Sequence, residues 1–142
     1  MREKTIKIYI VGLQYSLKYY MQIHKKILNK FFVTEEIPID LIILGFDRRS
    51  LFSLPNDFIN IVKWIYKAKP GYVVSVGPKV GFLLAVASFF SSFRLIHWFT
   101  GQQWSLKKIK FLSLGYICDF IINLLAYKTI CDSKEQAIFL KN

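Results

Sequence analysis

The stretch YVVSVGPKVGFLLAVASFFSSFRLIHWF, residues 72–99, decides how the chain folds. Tyr72 to Val76 is a short β-branched run bounded by Pro70-Gly71, and it reads as a buried strand. Gly77-Pro78-Lys79 breaks it, and Pro is well placed to open a helix because the N–H it lacks has no partner in a first turn. Val80 to Phe93 is then helical and almost wholly apolar, and Arg94 to Phe99 (RLIHWF) is a second strand. A strand, a covered crossover helix and another strand make a parallel pair, with both sheet faces buried.

The same alternation runs outward in both directions. Upstream, Thr5 to Val11 (TIKIYIV) reads as a first strand ending at Gly12. From Tyr15 to Phe31 the positions Leu17, Tyr20, Met21, His24, Ile27, Leu28 and Phe31 form an apolar stripe opposite Lys18, Gln22, Lys25, Lys26 and Lys30, as in a surface helix. Ile39 to Phe46 (IDLIILGF) is expected as the second strand. Phe52 to Asp57 then supplies a loop and helix start, and Phe58, Ile61, Val62 and Ile65 form the stripe of that helix. Downstream, a polar loop from Thr100 to Lys108 leads to a helix over Phe111 to Tyr127, and Lys128 to Cys131 (KTIC) is the fifth strand. Asp132-Ser133 opens a last helix, with Gln136 three residues after Ser133 in capping-box position. The expected fold is α/β: a doubly wound, mostly parallel, Rossmann-like sheet in one domain over residues 1–142. The chain stops about two turns into its last helix, so this domain is expected to be incomplete at its C-terminus.

Composition sets the outer bounds. The chain has 142 residues, 54% hydrophobic and 20% charged, with thirteen Phe and eight Tyr, which excludes disorder. Twenty Lys and Arg against nine Asp and Glu give a net charge of +11, favouring anionic partners such as diphosphates, anionic lipid or nucleic acid. Two cysteines, without CxxC or clustered histidines, leave no disulfide scaffold or zinc site, and a reducing, cytoplasmic setting is expected. The N-terminal apolar run is interrupted by Lys7 and is no signal peptide. Val80 to Phe93 is shorter than the roughly 20 residues of a membrane span. Phe111 to Tyr127 carries Asp119 near its middle, where a charge costs about 2.5–3.5 kcal/mol on insertion scales. Both read as buried or membrane-surface helices.

In open parallel sheets ligands bind beyond the carboxyl ends of the strands. No G-x-G-x-x-G, Walker lysine loop or G-x-S-x-G is present, so dinucleotide reduction, P-loop hydrolysis and α/β-hydrolase chemistry lack their parts. The strand ends offer Lys79, Arg48, Arg49, Lys107 and Lys108 to phosphate oxygens, and Trp98, Trp104 and Tyr15 to a sugar or isoprenoid. The arginine pair reads either as surface charge or as a phosphate clamp. His97, at the end of its strand, is either a histidine bonded to a loop carbonyl or an acid/base acting near neutral pH. Asp132 and Ser133 read first as a helix cap.

The segments SVGPKVGFLLAVA, RLIHWFTGQQW and CDFIINLLAYKTICDSKEQAIFL, spanning Ser75 to Leu140, together resemble the N-terminal domain of bacterial family 4 glycosyltransferases of the GT-B fold. Pro78, Lys79 and Gly81 match that family's turn, His97 to Gln102 its strand-end segment with Thr100, Gly101 and Gln102, Asp119 an acidic helix position, and Asp132-Ser133 an Asp-Ser pair. The resemblance implies the acceptor-binding half of an enzyme that transfers a sugar from a nucleotide-sugar to a polyprenyl-linked or cell-surface glycan, peripheral to the inner face of the cytoplasmic membrane. It implies substrate contacts from Gly12, Lys79, Thr100, Gly101, Gln102 and Ser133, with His97 catalytic, and no metal or organic cofactor. After the first strand the family has a glycine pair, whereas Gly12 is followed here by Leu13 and Gln14. Donor contacts are expected from a second domain or a partner chain. The competing expectation is a non-catalytic, membrane-associated module that recruits such a partner. A nucleic-acid role has charge in its favour but no motif.

Overall fold

The structure of the chain, a computed structural model, describes residues 6–19, 25, 26, 28–100, 114–132 and 134. Five strands, β1 (Lys7–Gly12), β2 (Val33–Pro38), β3 (Tyr72–Val76), β4 (Arg94–Phe99) and β5 (Lys128–Cys131), form one sheet in the order β2-β1-β3-β4-β5. Every neighbouring pair is parallel. The helices among the described residues are α1 (Gln14–Tyr19), the single turn α2 (Ile39–Ile42), α3 (Leu54–Ala68), α4 (Pro78–Phe89) and α5 (Leu114–Leu125). The expected α/β, doubly wound, Rossmann-like sheet is therefore present.

Alternation along the strands divides the apolar residues between two layers. Val11, Val73, Leu95 and Phe99 face α3, α4 and α5, where Ile61, Ile65, Leu83, Leu84 and Ile122 complete the larger core. Ile8, Ile10, Val74, Val76 and Trp98 face the other way and pack with Leu17 of α1. The chain leaves β1 toward one face and β3 toward the opposite face. The connections on either side of that β1/β3 boundary diverge, which is where a crevice opens in such sheets.

The second strand is not where the apolar run suggests. Ile39 to Phe46 was expected to be extended, but the strand is the preceding VTEEIP, and Ile39–Ile42 is a helical turn. Ile39 and Ile43, four residues apart, are both buried by that turn, whose Ile43 N–H donates to the Ile39 carbonyl at 2.8 Å. β2 is an edge strand, so it tolerates Glu35 and Glu36, which pair with Lys7 and Lys25. Of the helix expected over Tyr15 to Phe31, Gln14–Tyr19 is helical and Phe31 lies in a turn; His24 lies outside the described residues.

Local sequence sets the helix ends. α3 has Pro55 in its first turn and stops at Lys69, which is left-handed at φ 45° and is followed by Pro70-Gly71. Gly77 at φ 95° turns the chain from β3 into α4, a conformation that a Cβ disfavours. Gly81 lets α4 lie close on β4: a Cβ there would come within 2.5 Å of His97 Nδ1.

Candidate functional site at the strand carboxyl ends

The mouth of the sheet is built from the residues after β1, the loop from Ile43 to Ser53, the Gly77-Pro78-Lys79 turn, and Thr100 after β4. Gly12 closes β1 tightly against β3, since a Cβ there would lie 3.1 Å from Val76 Cβ and 3.3 Å from its carbonyl oxygen. The backbone at the switch point is thus narrow, and Gly12 is the residue type that allows it.

Lys79 sits at the start of α4 with its ammonium turned inward. It forms an ion pair with Asp57 Oδ2 at 2.7 Å, donates to Ser53 Oγ at 2.8 Å and to the Asp47 carbonyl at 2.7 Å, and lies 4.7 Å from the centre of the Phe46 ring. An ammonium has three donors, and these partners take all three. The side chains of Lys79 and Asp57 are 7% and 3% exposed, and Ser53 also donates to Asp57 Oδ2 at 2.7 Å. In this structure the Lys79 side chain, expected at a phosphate, is a strut that ties the 46–53 loop and α3 to α4.

His97, expected as the acid/base, lies inside the fold. It precedes the end of β4 by two residues, on the inward-facing side with Leu95 and Phe99, and is 1% exposed. Its Nδ1 lies 2.7 Å from Ser75 Oγ across the β3/β4 pair, and its ring meets Phe99 edge-on at 4.5 Å. Burial lowers its pKa to about 3, so the ring is neutral near neutral pH, and it lies close under Gly81. In this structure it is a buried, neutral ring that bridges β3 and β4.

Trp98 was expected against a sugar or isoprenoid. It is 2% exposed in the smaller core, and its indole N–H donates to Asp132 Oδ1 at 2.6 Å. Asp119 faces inward on α5 at 7% exposure. Gly101, Gln102, Ser133, Trp104, Lys107 and Lys108 lie outside the described residues, and Thr100 is half-buried just beyond β4.

What the mouth presents to solvent is the loop held by Lys79. Arg48 and Arg49 are exposed, with the Arg49 N–H donating to Asp47 Oδ1 at 2.8 Å in an Asx-type turn. Leu44 and Phe52 on either side of them are fully exposed, at 98% and 101%, and Tyr15 lies open beside β1. The partnership of Lys79 with Asp57 and Ser53 has no local signal, because Lys79 is 22 and 26 residues away from them. Only the Ser53 to Asp57 spacing at a helix start hinted at a local pair. A shallow cleft of about 360 Å³ lies at the other end of the sheet, between Tyr66, Lys69, Pro70 and Phe93, without a convergent set of polar groups. Among the described residues no group of His, Cys, Asp or Glu could hold a metal ion.

Compared with protein-family models and with curated proteins, the sequence matches none.

Proposed function

We propose that the chain is the acceptor-binding half of a glycosyltransferase that moves a sugar from a nucleotide-sugar to a polyprenyl-linked or cell-surface glycan acceptor. The observation that carries this reading is the 43–53 loop at the strand carboxyl ends, where exposed Arg48 and Arg49 sit between exposed Leu44 and Phe52. A lipid-linked diphosphate has both parts that such a surface suits: phosphate oxygens for guanidinium donors and an isoprenoid for apolar side chains. The resemblance of the Ser75 to Leu140 segments to family 4 glycosyltransferases supports the same reading. Donor contacts then come from a second domain, in the same polypeptide or in a partner chain. His97 and Lys79 act in this reading as packing and loop-holding residues, and Thr100, Gly101, Gln102 and Ser133 stay as substrate-contact candidates.

The test is binding of a polyprenyl-diphosphate-sugar to the purified chain. Arg48→Gln/Arg49→Gln should weaken it about tenfold or more, and added salt should weaken the wild type. Equal affinity in wild type and the double variant would refute the assignment of the loop. The isolated chain should leave nucleotide-sugars intact, and measurable transfer by it would show that no second domain is needed.

A second reading, a non-catalytic membrane-associated module, draws on a different surface, the outer face of α4 and α5.

A further inference from the structure

Matched and unmatched charge divide the sheet into two halves. At its β2 edge Lys7 pairs with Glu35 and Lys25 with Glu36, so the basic residues there have their counter-charges. At the amino ends of β4 and β5, Arg94 and Lys128 are exposed, and neither pairs with a carboxylate among the described residues. From Phe58 to Cys131 the sequence has nine Lys and Arg and a single acidic residue, Asp119, which is buried. This stretch carries positive charge that it does not itself neutralise.

Backbone and rings hold the two cations in place. The Arg94 N–H donates to the Gly71 carbonyl at 2.9 Å and the Tyr127 N–H to the Leu95 carbonyl at 2.8 Å, which fixes both chain positions at the end of the sheet. Arg94 stands opposite Tyr72 in the β3/β4 register, on the side of the sheet that carries Val74, Ile96 and Trp98. Its guanidinium donates to the Tyr72 hydroxyl at 2.9 Å and lies 5.6 Å from the centre of that ring and 4.9 Å from the centre of the Tyr127 ring. The Lys128 ammonium lies 5.8 Å from the same Tyr127 ring. A ring face attracts a cation, but two cations on one ring repel each other, and no carboxylate among the described residues offsets that. A guanidinium has five N–H donors, of which Tyr72 takes one. The other N–H groups, the Lys128 ammonium and the hydrogen of the Tyr72 hydroxyl have no acceptor among the described residues, and because both cations sit on one ring a single acceptor-rich anion can reach them together.

We infer that Arg94 and Lys128, braced by Tyr72 and Tyr127, form a binding site for the phosphate or diphosphate group of a small ligand at the amino ends of the strands. The planar guanidinium suits two phosphate oxygens at once, and the ammonium supplies a point charge beside it. A nucleic-acid strand needs cations spaced along a groove, whereas these two share a ring. The site lies at the end of the strands opposite the mouth and stands whatever the mouth binds.

Titration with pyrophosphate, followed by backbone amide NMR, tests it, because that signal reads the two ends of the sheet separately. Saturable shifts should appear at Gly71, Arg94, Tyr127 and Lys128. Arg94→Gln/Lys128→Gln should weaken the binding about tenfold or more. Lys63→Gln/Lys67→Gln, the same change in charge at exposed positions of α3, should leave it as it is. Tyr72→Phe, which keeps the ring and removes the hydroxyl, should weaken it a few-fold, as the loss of one hydrogen bond does. Melting temperatures of the variants without ligand should match the wild type; if the glutamine pair at Arg94 and Lys128 melts early, Lys128→Gln alone still decides. Arg48→Gln/Arg49→Gln should keep these shifts while losing the mouth ligand, which separates the two proposals. Equal affinity in wild type and Arg94→Gln/Lys128→Gln would overturn the inference. So would an equal loss in Lys63→Gln/Lys67→Gln, which would leave net charge alone as the attraction, or binding of a single-stranded oligodeoxythymidylate without binding of pyrophosphate, which would make the patch a contact for nucleic-acid backbone.

Discussion

Lys79 and Asp57 show how far one side chain can govern a mouth without touching a ligand. Removing one member of a buried ion pair leaves an uncompensated charge, so Lys79→Met should cost about 3–5 kcal/mol in urea denaturation. Lys79→Met/Asp57→Leu should recover much of that, because the second change removes the stranded carboxylate. A double variant no more stable than the single one would show that the pair is not the coupling unit. His97 makes the opposite kind of statement, through its proton. Its folded pKa, about 3, lies below the ordinary value of 6.5, so between those values the unfolded chain binds a proton that the folded chain does not. Stability should therefore rise with pH across that window, by up to about 1.4 kcal/mol per unit from this group. The comparison is of unfolding free energy against pH in wild type and His97→Gln, and an unchanged slope in the variant would remove His97 as the source. Both residues were legible by position but not by role. A lysine after β3 and a histidine near the end of β4 could be read from the sequence. That Leu95, His97 and Phe99 share the inward side follows from their two-residue spacing.

At the scale of elements, the β3-α4-β4 unit was readable because turn, helix and strand signals agreed over its whole length. β2 was not. An eight-residue apolar run such as Ile39 to Phe46 has no period that separates a strand from a helical turn with buried positions four apart. The edge strand beside it, VTEEIP, keeps half its surface wet and so lacks the apolar run of a covered strand. Helix ends give a further prediction. Lys69 closes α3 in the left-handed region, at φ 45° and ψ 54°, where a Cβ is strained. Lys69→Gly should stabilise the fold by about 0.5–1 kcal/mol, seen as a higher melting temperature. Gly77→Ala, at φ 95°, should lower it by at least about 1 kcal/mol. If both substitutions moved stability the same way, the backbone explanation would fail.

For the molecule as a whole, the two cores are unequal. The α3-α4-α5 side gathers most of the fully buried residues, whereas the smaller core has Leu17 as its buried residue from α1. Amides of β3 and β4, central and covered, should exchange with solvent most slowly, and those of β2, an edge strand with half-exposed positions, much faster. Equal protection across the sheet would contradict this ranking. The placement of α4 and α5 has one more consequence. Crossover helices run along the strands they join, so a plane laid on their outer face is roughly parallel to the sheet. If the membrane-associated reading holds and that plane is a bilayer, the strands would aim their carboxyl ends sideways, and the mouth would open within the plane of the interface. A lipid-borne molecule would reach such an opening by lateral diffusion, a search in two dimensions in which encounter depends on density per area of membrane instead of concentration in solution.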